Sequence, residues 1–124
     1  MRLSASQVKT QRELMAEQQG HLCLLCCDHF SASDPPVLDH CHKTGHVRGV
    51  LHRGCNAMLG HIENNTARNN LHGGRLFNML ERVRAYVTAV YTHNPLHPTH
   101  RTEDEKRLRR NKRAKVARAK KAAS

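Results

Sequence analysis

Two pairs of metal-binding residues constrain the fold of this chain more than any other feature. The first pair is Cys23 and Cys26, and the second is His52 and Cys55, each with two residues between its members. Thiolate and imidazole ligands at this spacing are typical of zinc half-sites, and two half-sites complete one tetrahedron. A metal bound to both would close a loop of 25 residues. We therefore predict a structural zinc ion held by Cys23, Cys26, His52 and Cys55.

The composition favours a metal over disulfide bonds. Among 124 residues only 3% are aromatic and none is tryptophan, so little apolar material is available for a core. Small domains of this kind usually need disulfides, a structural metal or a partner chain. The five cysteines are an odd number, and no hydrophobic run resembling a signal peptide or membrane span precedes them. A metal in a reducing, cytoplasmic compartment fits best, and the alternative is a disulfide with stray thiols. We expect Cys27 and Cys41 to be free, half-buried thiols.

The positive charge is concentrated at the carboxyl end. The formal net charge is +11, and residues 101–124 contain eleven Lys or Arg against three acids, whereas residues 1–100 contain ten against seven. Such a block favours a polyanion as partner, because neutralised phosphates release their counterions. A solubilising tail is one alternative, and an anionic membrane surface is another, which the lack of a hydrophobic anchor disfavours. The tail residues that we expect to contact DNA phosphates are Lys106, Arg107, Arg109, Arg110, Lys112 and Arg113.

The first half of the sequence predicts a helix, a hairpin and a second helix. Ser4 or Ser6 can cap the first helix and Gly20 can end it. A short strand starting at Val37 delivers Asp39 and His40 at its end, before a turn and a second strand. The predicted ranges are a helix over residues 4–19, a knuckle over 21–27, a second strand over 47–51 and a helix over about 53–62.

The second half predicts a longer helix and a charged tail. After a polar loop over residues 64–74, apolar residues recur at helical spacing, so we predict a helix over about 75–92, ended by Pro95 and Pro98. The predicted hairpin is too small to bury the apolar face of this helix. Either the first helix or a second chain must therefore cover that face. We therefore expect a homodimer through residues 75–92 as one arrangement. The tail is either disordered or a helix that forms on a phosphate surface.

These predictions define a small zinc-bound α+β fold. Its segments are an N-terminal helix over residues 1–20, a zinc-bound core over 21–63, a loop and long helix over 64–98, and a basic tail over 99–124.

Four polar residues inside the zinc frame have the chemistry of phosphodiester hydrolysis. A neutral imidazole such as His40 can take a proton from water near pH 7. The Asp39 carboxylate and the Asn56 amide oxygen suit Mg²⁺, which keeps waters and needs few protein ligands. Adjacent residues of a strand point to opposite faces, so Asp39 and His40 can cooperate only if the strand ends or bends there.

Each of these residues also has a simpler interpretation. An Asp-His pair is often a surface pair, His42 can be an exposed histidine or a zinc ligand, and Asn56 can cap the following helix. Arg48 and Arg53 are expected to touch the DNA backbone near the site, although either can be a solvated charge. The coincidence of polar cluster, metal half-sites and basic charge favours the catalytic interpretation.

The core resembles the phage recombination endonuclease VII family of HNH, or His-Me finger, nucleases. The resemblance covers residues 21–62 and lies in the Cys-x-x-Cys pair, the run Leu38-Asp39-His40-x-His42-Lys43-Thr44-Gly45-x-Val47-Arg48-Gly49-Val50-Leu51, and Cys55-Asn56-Ala57-x-x-Gly60. It implies a ββα-metal fold, a structural zinc, and DNA cleavage that depends on Mg²⁺ or Mn²⁺. A phage-encoded member would act in the host cytoplasm.

The resemblance also implies roles for individual residues. By position, His40 is the general base, Asp39 and Asn56 hold the divalent cation, and His42 contacts substrate or phosphate. The chain departs from the family pattern at three positions: His52 replaces a cysteine, and Cys41 and Leu59 stand where acids are found in members of the family.

Two other functions are compatible with the same residues. One is a non-catalytic, zinc-stabilised nucleic-acid-binding module, and the other is a protein-binding zinc finger with a solubilising tail. Within the nuclease hypothesis, a nicking or homing-like enzyme and a junction-resolving enzyme stay open.

Overall fold

Six elements form along the chain in the order helix, two strands, three helices. The computed structural model describes residues 1–124. The elements are α1 (Ala5–Gln18), β1 (Pro36–His40), β2 (Val47–His52), α2 (Arg53–Asn65), α3 (Gly74–Thr88) and α4 (Glu103–Ala123). This is a small α+β fold, as predicted. None of the helices combines the length and apolar character that a membrane crossing requires.

The two strands form an antiparallel hairpin with an irregular end. Leu38 pairs with Val50, and Asp39 pairs with Gly49, but His40 pairs with Val47. Arg48 is thus an extra residue in β2, which makes a β-bulge at the end of the hairpin. Because bulges bend a strand and re-aim its side chains, the strand bends at Asp39 and His40, where the sequence required it to bend or end.

The turn of the hairpin occupies the predicted segment. The Cys41 N–H donates to the His46 carbonyl at 2.8 Å, and the Gly45 N–H donates to the Cys41 carbonyl at 2.7 Å. Gly45 has a φ of 79°, which glycine adopts without the steric cost of a side chain.

The core is small and is centred on β2. Val50 and Leu51 of β2 are buried, together with Ala16 of α1 and Cys23. Ser4 caps α1 through a reciprocal pair of hydrogen bonds with Gln7. Few apolar side chains stabilise this region, so additional links between its elements carry more of the stability.

One such link is the side chain of Gln19, directly after α1. Its Nε2 donates to the carbonyls of Val50 and Leu22, and its Oε1 accepts from the Val50 N–H, each at 2.9 Å. The amide acts as a further peptide group along the open edge of β2. A Cβ on Gly49 would lie 2.9 Å from the Gln19 Oε1 and 2.7 Å from a Leu24 methyl. Glycine at position 49 therefore permits this close approach.

Helix α3 is shorter than the sequence suggested. It ends at Thr88, well before Pro95 and Pro98, so these prolines are not its terminators. The Thr88 hydroxyl donates to the Arg84 carbonyl, and such back-bonding by threonine weakens a helix. Helix α1 packs against β1 and β2, while Phe77 and Leu80 of α3 stay exposed. The first helix is therefore not their cover.

The basic tail forms a helix rather than a disordered segment. Thr102 caps α4 by accepting from the Glu105 N–H. Three acids stand in the first turn and Lys120 and Lys121 in the last, an order that complements the helix dipole. The chain divides into two compact units, Met1–Glu81 and Arg82–Ser124, and this division falls within α3.

Candidate functional site

The two predicted half-sites come together in one cluster. The ligand atoms of Cys23, Cys26, His52 and Cys55 all lie within 4.8 Å of one another. Three sulfurs and one nitrogen at this spacing are the donor set of a closed, four-coordinate zinc site. The residues thus can hold a structural metal such as zinc, as the sequence predicted.

A tight knuckle presents the first two ligands. The Cys27 N–H donates to the Cys23 carbonyl, and the Cys23 N–H donates to the Asp28 carbonyl, both at 3.0 Å. Cys27 has a φ of 65°, so the chain reverses direction there. Leu22 and His29 then form an isolated bridge that closes the knuckle.

The second pair of ligands lies where β2 passes directly into α2. His52 is both the last residue of β2 and the N-cap of α2, and Cys55 lies in the first turn. The His52 backbone N–H approaches the Cys23 sulfur at 3.5 Å. The metal cluster therefore joins the knuckle to the junction of strand and helix.

The imidazole of His52 is oriented for metal binding. Its Nε2 lies 3.1 Å from the His29 carbonyl oxygen, and its Nδ1 lies 3.1 Å from the Cys26 sulfur. A proton on Nε2 satisfies the carbonyl and leaves the Nδ1 lone pair for the metal. The Phe30 ring packs against the imidazole at a centroid distance of 4.8 Å. His52 can therefore serve as a ligand through Nδ1 while its second nitrogen, Nε2, is hydrogen-bonded to the His29 carbonyl.

The protonation of the cluster is set by burial and by contacts among its members. Burial raises the pKa of the Cys23 thiol, but hydrogen bonds from backbone N–H groups, including that of Cys26, lower it to about 6. Burial lowers the pKa of His52, whereas hydrogen bonds to Cys23 and Cys26 raise it to about 9. Burial and the neighbouring thiols raise the pKa of Cys55 to about 11. A metal ion must displace these protons, so acid weakens its binding.

The other two cysteines lie outside the cluster. Cys41 is a half-buried free thiol, as expected, whereas Cys27 is exposed rather than half-buried. The backbone at Cys27 has a left-handed conformation, and its side chain is exposed at this turn of the knuckle.

Three of the four predicted catalytic residues lie at the bulged end of the hairpin, and the fourth, Asn56, lies in α2. Asp39 is buried, while His40 and His42 are exposed. The rings of His40 and His42 stack, with centroids 4.8 Å apart and planes 13° from parallel. His40 also lines an open groove between the start of α1 and the hairpin turn. The hairpin thus presents a buried carboxylate beside solvent-accessible imidazoles.

The buried carboxylate is bound by Arg48, the residue of the bulge. Arg48 Nε donates to Asp39 at 2.8 Å and Nη2 donates to its other oxygen at 3.1 Å. The same guanidinium donates to both carboxylate oxygens of Glu63 in α2, at 3.1 Å each. These hydrogen bonds raise the pKa of Arg48 above its ordinary value and lower that of Glu63. Arg48, predicted as a DNA contact, therefore bridges two acids, and its DNA role stays a prediction.

Asn56 and Arg53 are placed by α2. Arg53 is the exposed first residue of the helix, and Asn56 is a half-buried residue of its first turns. Because His52 is the N-cap, Asn56 does not cap this helix. Asn56 and Glu63 are seven residues apart and so share one face of α2.

Glu63 is the member of this cluster that the sequence interpretation missed. Its carboxylate accepts two hydrogen bonds from Arg48, the same guanidinium that binds Asp39, and these lower the pKa of Glu63. Its position seven residues after Asn56 was the available signal, since that spacing returns to the same helix face.

Three residues of the hairpin and α2 carry oxygen donors of the kind that a hard divalent cation binds. Asp39 and Glu63 offer carboxylate oxygens, and Asn56 adds an amide oxygen from α2; all three are oxygen donors that Mg²⁺ and Mn²⁺ prefer. The Arg48 guanidinium between the two carboxylates marks the position as one that attracts positive charge. The donors are chemically of the kind that such an ion binds, and in this structure Arg48 occupies both carboxylates.

The predicted DNA contacts of the tail lie along α4. Lys106 pairs with Glu103 at 2.9 Å and Arg107 pairs with Asp104 at 3.1 Å. The remaining four, which form no ion pair within the chain, are Arg109, Arg110, Lys112 and Arg113.

A comparison with protein families agrees with this geometry. The family model of recombination endonuclease VII matches residues 1–89, which include both metal half-sites, the hairpin and α2. The match thus extends beyond the core motif to α1 and α3. The chain therefore belongs to the recombination endonuclease VII family, and it is a nuclease that acts on DNA.

Proposed function

We propose that the chain is a metal-dependent DNA endonuclease of the ββα-metal, HNH type. In this proposal the hairpin and α2 form the catalytic unit and the zinc cluster fixes its ends. The reaction is phosphodiester hydrolysis. It is the same chemistry whether one strand or both strands are cut, and whether the DNA substrate is linear or branched.

Each residue of the hairpin end has a part in the proposed reaction. His40 accepts a proton from water, the water oxygen bonds to phosphorus, and the bond from phosphorus to the leaving ester oxygen breaks. Asp39 and Asn56 would hold Mg²⁺ or Mn²⁺, which supplies charge stabilisation at the phosphate when bound. His42 stacks on His40, and in the proposal it contacts the phosphate.

The observation that carries the proposal is the bulge at Arg48. In a regular strand Asp39 and His40 would point to opposite faces. The register shift lies between these two residues, and it bends the strand at that point. Asp39 is buried and His40 is exposed at this bend. The proposal takes the base and the cation ligand to adjoin one reaction space.

Two further surfaces serve DNA binding and assembly in the proposal. Helix α4 contacts phosphates through its unpaired basic residues, and Arg53 does so beside the catalytic unit. Leu76, Leu80, Val83 and Val87 of α3 follow a spacing of four, three and four residues, which is that of a coiled-coil seam. We assign this stripe, in which Leu76 is half-buried and the other three residues are exposed, to a second copy of the chain, since a seam of that period fits another helix.

The test is cleavage of supercoiled plasmid by the full, zinc-loaded chain. We expect nicked or linear product when Mg²⁺ or Mn²⁺ is added to the zinc-loaded chain, and none in buffer to which no divalent ion is added. His40→Ala should reduce the rate by at least about 100-fold, the usual size of a lost general base. His93→Ala is the matched control, because His93 is an exposed histidine outside the first compact unit.

The result separates this function from a binding module. A His40→Ala variant that keeps its zinc and cleaves at the parental rate would refute the assignment of the base. DNA binding without cleavage under any divalent ion would favour the non-catalytic module instead. A panel of linear, nicked and four-way junction DNA then identifies the preferred substrate.

A further inference from the structure

Arg48, Asp39 and Glu63 form an ion-pair cluster in which one guanidinium binds two carboxylates. The guanidinium makes four hydrogen bonds, two to each carboxylate, from three nitrogens. Arginine has five N–H donors, so only one stays free. Both acids are thus held in a fixed orientation by one cation.

The two acids differ in how much they depend on that cation. The Asp39 side chain is 7% exposed, whereas the Glu63 side chain is 34% exposed. A buried carboxylate without a partner is strongly destabilised, while a half-exposed carboxylate can be solvated by water. Asp39 therefore requires a cation at all times, and Glu63 does not.

This difference creates a competition at Asp39. A divalent cation and the guanidinium both need its oxygens, and they repel each other at that distance. A cation that binds Asp39 must therefore weaken the contact with Arg48. Glu63 offers Arg48 a second anion that is not part of the proposed ligand pair of Asp39 and Asn56.

We propose that Glu63 is a positioning residue that acts through Arg48 to make Asp39 available to the divalent cation. This inference rests on the proposed function, because it takes Asp39 as the cation ligand. With Glu63 present, Arg48 keeps an anionic partner when its contact with Asp39 loosens. Without Glu63, the guanidinium has Asp39 as its single carboxylate partner and competes more strongly with the incoming cation.

A purely structural role predicts a different result. If Glu63 only ties α2 to the hairpin, its removal lowers the free energy of unfolding but leaves the cation affinity of the folded chain unchanged. If Glu63 is itself a ligand, its removal weakens cation binding whether or not Arg48 is present. The three roles are therefore separable by a double-mutant cycle.

The experiment measures Mn²⁺ affinity of the zinc-loaded full chain without DNA, by titration calorimetry. The variants are Glu63→Gln, Arg48→Gln and the two combined, with Glu81→Gln as the control that removes one exposed acid elsewhere. We expect Glu63→Gln to weaken Mn²⁺ binding about fivefold or more in the parental chain. In the Arg48→Gln background the same change should weaken it less than about twofold, and Glu81→Gln should do no more than that.

Equal weakening in both backgrounds would overturn the inference, and so would no weakening in the parental chain. If Arg48→Gln leaves too little folded protein, Arg48→Lys replaces it, since lysine keeps the charge but cannot form the double fork. In that background the effect of Glu63→Gln must again shrink for the inference to stand. A parental chain that binds no Mn²⁺ at all would instead refute the proposed cation site, and with it the function.

Discussion

The guanidinium of Arg48 donates to both oxygens of the buried Asp39 carboxylate, at 2.8 and 3.1 Å. Arg48 is available for this because the bulge adds one residue to β2 opposite the end of β1. The irregular backbone and the ion pair are thus one feature, and they connect the hairpin with Glu63 of α2.

The contact between Arg48 and Glu63 predicts an acid-sensitive contribution to stability. Hydrogen bonds from Arg48 hold the pKa of Glu63 below its ordinary value of 4.5. A lowered pKa stabilises the fold above the unfolded-state value, and this contribution disappears as the pH falls through the folded-state value. We expect Glu63→Gln to lower the free energy of unfolding at pH 7 by less than about 1 kcal/mol, because the pair is partly exposed. Urea titrations of both proteins, with zinc content measured at each pH, should show the difference decline as the pH falls below 4.5 and vanish below the folded-state pKa. A difference that is unchanged there would contradict this account.

The metal cluster predicts that alanine substitution of Cys23 abolishes zinc binding, whereas alanine substitution of Cys27 does not. Cys23→Ala removes a buried ligand, and structural zinc in small domains contributes on the order of 10 kcal/mol to folding. We expect this variant to lose its zinc and its cooperative thermal transition. Cys27→Ala is the control, because Cys27 is exposed and lies outside the cluster. Elemental analysis should find one zinc per chain in the control, and equal zinc contents in both variants would refute the ligand assignment.

The hydrogen bonds of the Gln19 side chain predict that its removal lowers the stability of the fold more than is usual for a polar residue. Gln19→Ala removes three hydrogen bonds and leaves the Val50 peptide group without its partner. The expected loss is about 1–3 kcal/mol in the free energy of unfolding, which is the cost of unsatisfied buried polar groups. Gln18→Ala is the matched control on the same helix, since Gln18 is exposed. Thermal melts of the zinc-loaded proteins provide the measurement, and equal melting temperatures would show that the amide contributes nothing.

The basic helix α4 predicts a change in the salt dependence of DNA binding. Arg110→Gln combined with Arg113→Gln removes two exposed charges that have no acidic partner. Each phosphate contact contributes about 0.9 to the slope of log affinity against log salt, so the slope should fall by about 2. Fluorescence anisotropy at several salt concentrations measures this slope for duplex DNA. The control is Lys9→Gln combined with Arg68→Gln, which removes two charges outside α4. If the control changes the slope by the same amount, the effect is not specific to α4, and the assignment of α4 to the DNA interface is refuted.

The apolar stripe of α3 predicts a self-association that one charge can break. Leu80 is 37% exposed in the single chain and lies on the stripe, whereas Asn78 lies on the polar side of the helix. Leu80→Asp should shift the chain to monomer in sedimentation equilibrium, because burial of a charge in an apolar seam is unfavourable. Asn78→Asp adds the same charge and should stay dimeric. A parental chain that is monomeric at all concentrations tested would contradict the proposal.

The sequence was most informative where local spacing determines the structure. The metal ligands could be identified from their two-residue gaps, because such gaps place both ligands of a half-site on one side of a turn. The hairpin followed from the turn residues between Val37 and His52, and the first helix from Ser4 and Gly20. These features depend on neighbours in the chain, which a pattern can reveal.

The sequence was least informative about contacts between distant residues. Gln19 was simply a residue near the end of a helix until the fold placed it against Val50, 31 positions away. Glu63 and Arg48 are 15 positions apart, and their pairing requires both the bulge and the direction of α2. The early end of α3 was missed because the prediction took Pro95 and Pro98 as terminators, whereas the helix ends seven residues before the first of them.

The absence of any linker between β2 and α2 makes this junction intolerant of length changes. His52 ends the strand, caps the helix and supplies a metal ligand, so the chain has no spare residue at that point. A single inserted residue would rotate the rest of α2 by about 100°, since each residue advances the helix by that angle. Cys55, Asn56 and Glu63 would all leave their positions together. Natural variation in length is therefore expected in the hairpin turn or after α2, and not at this junction.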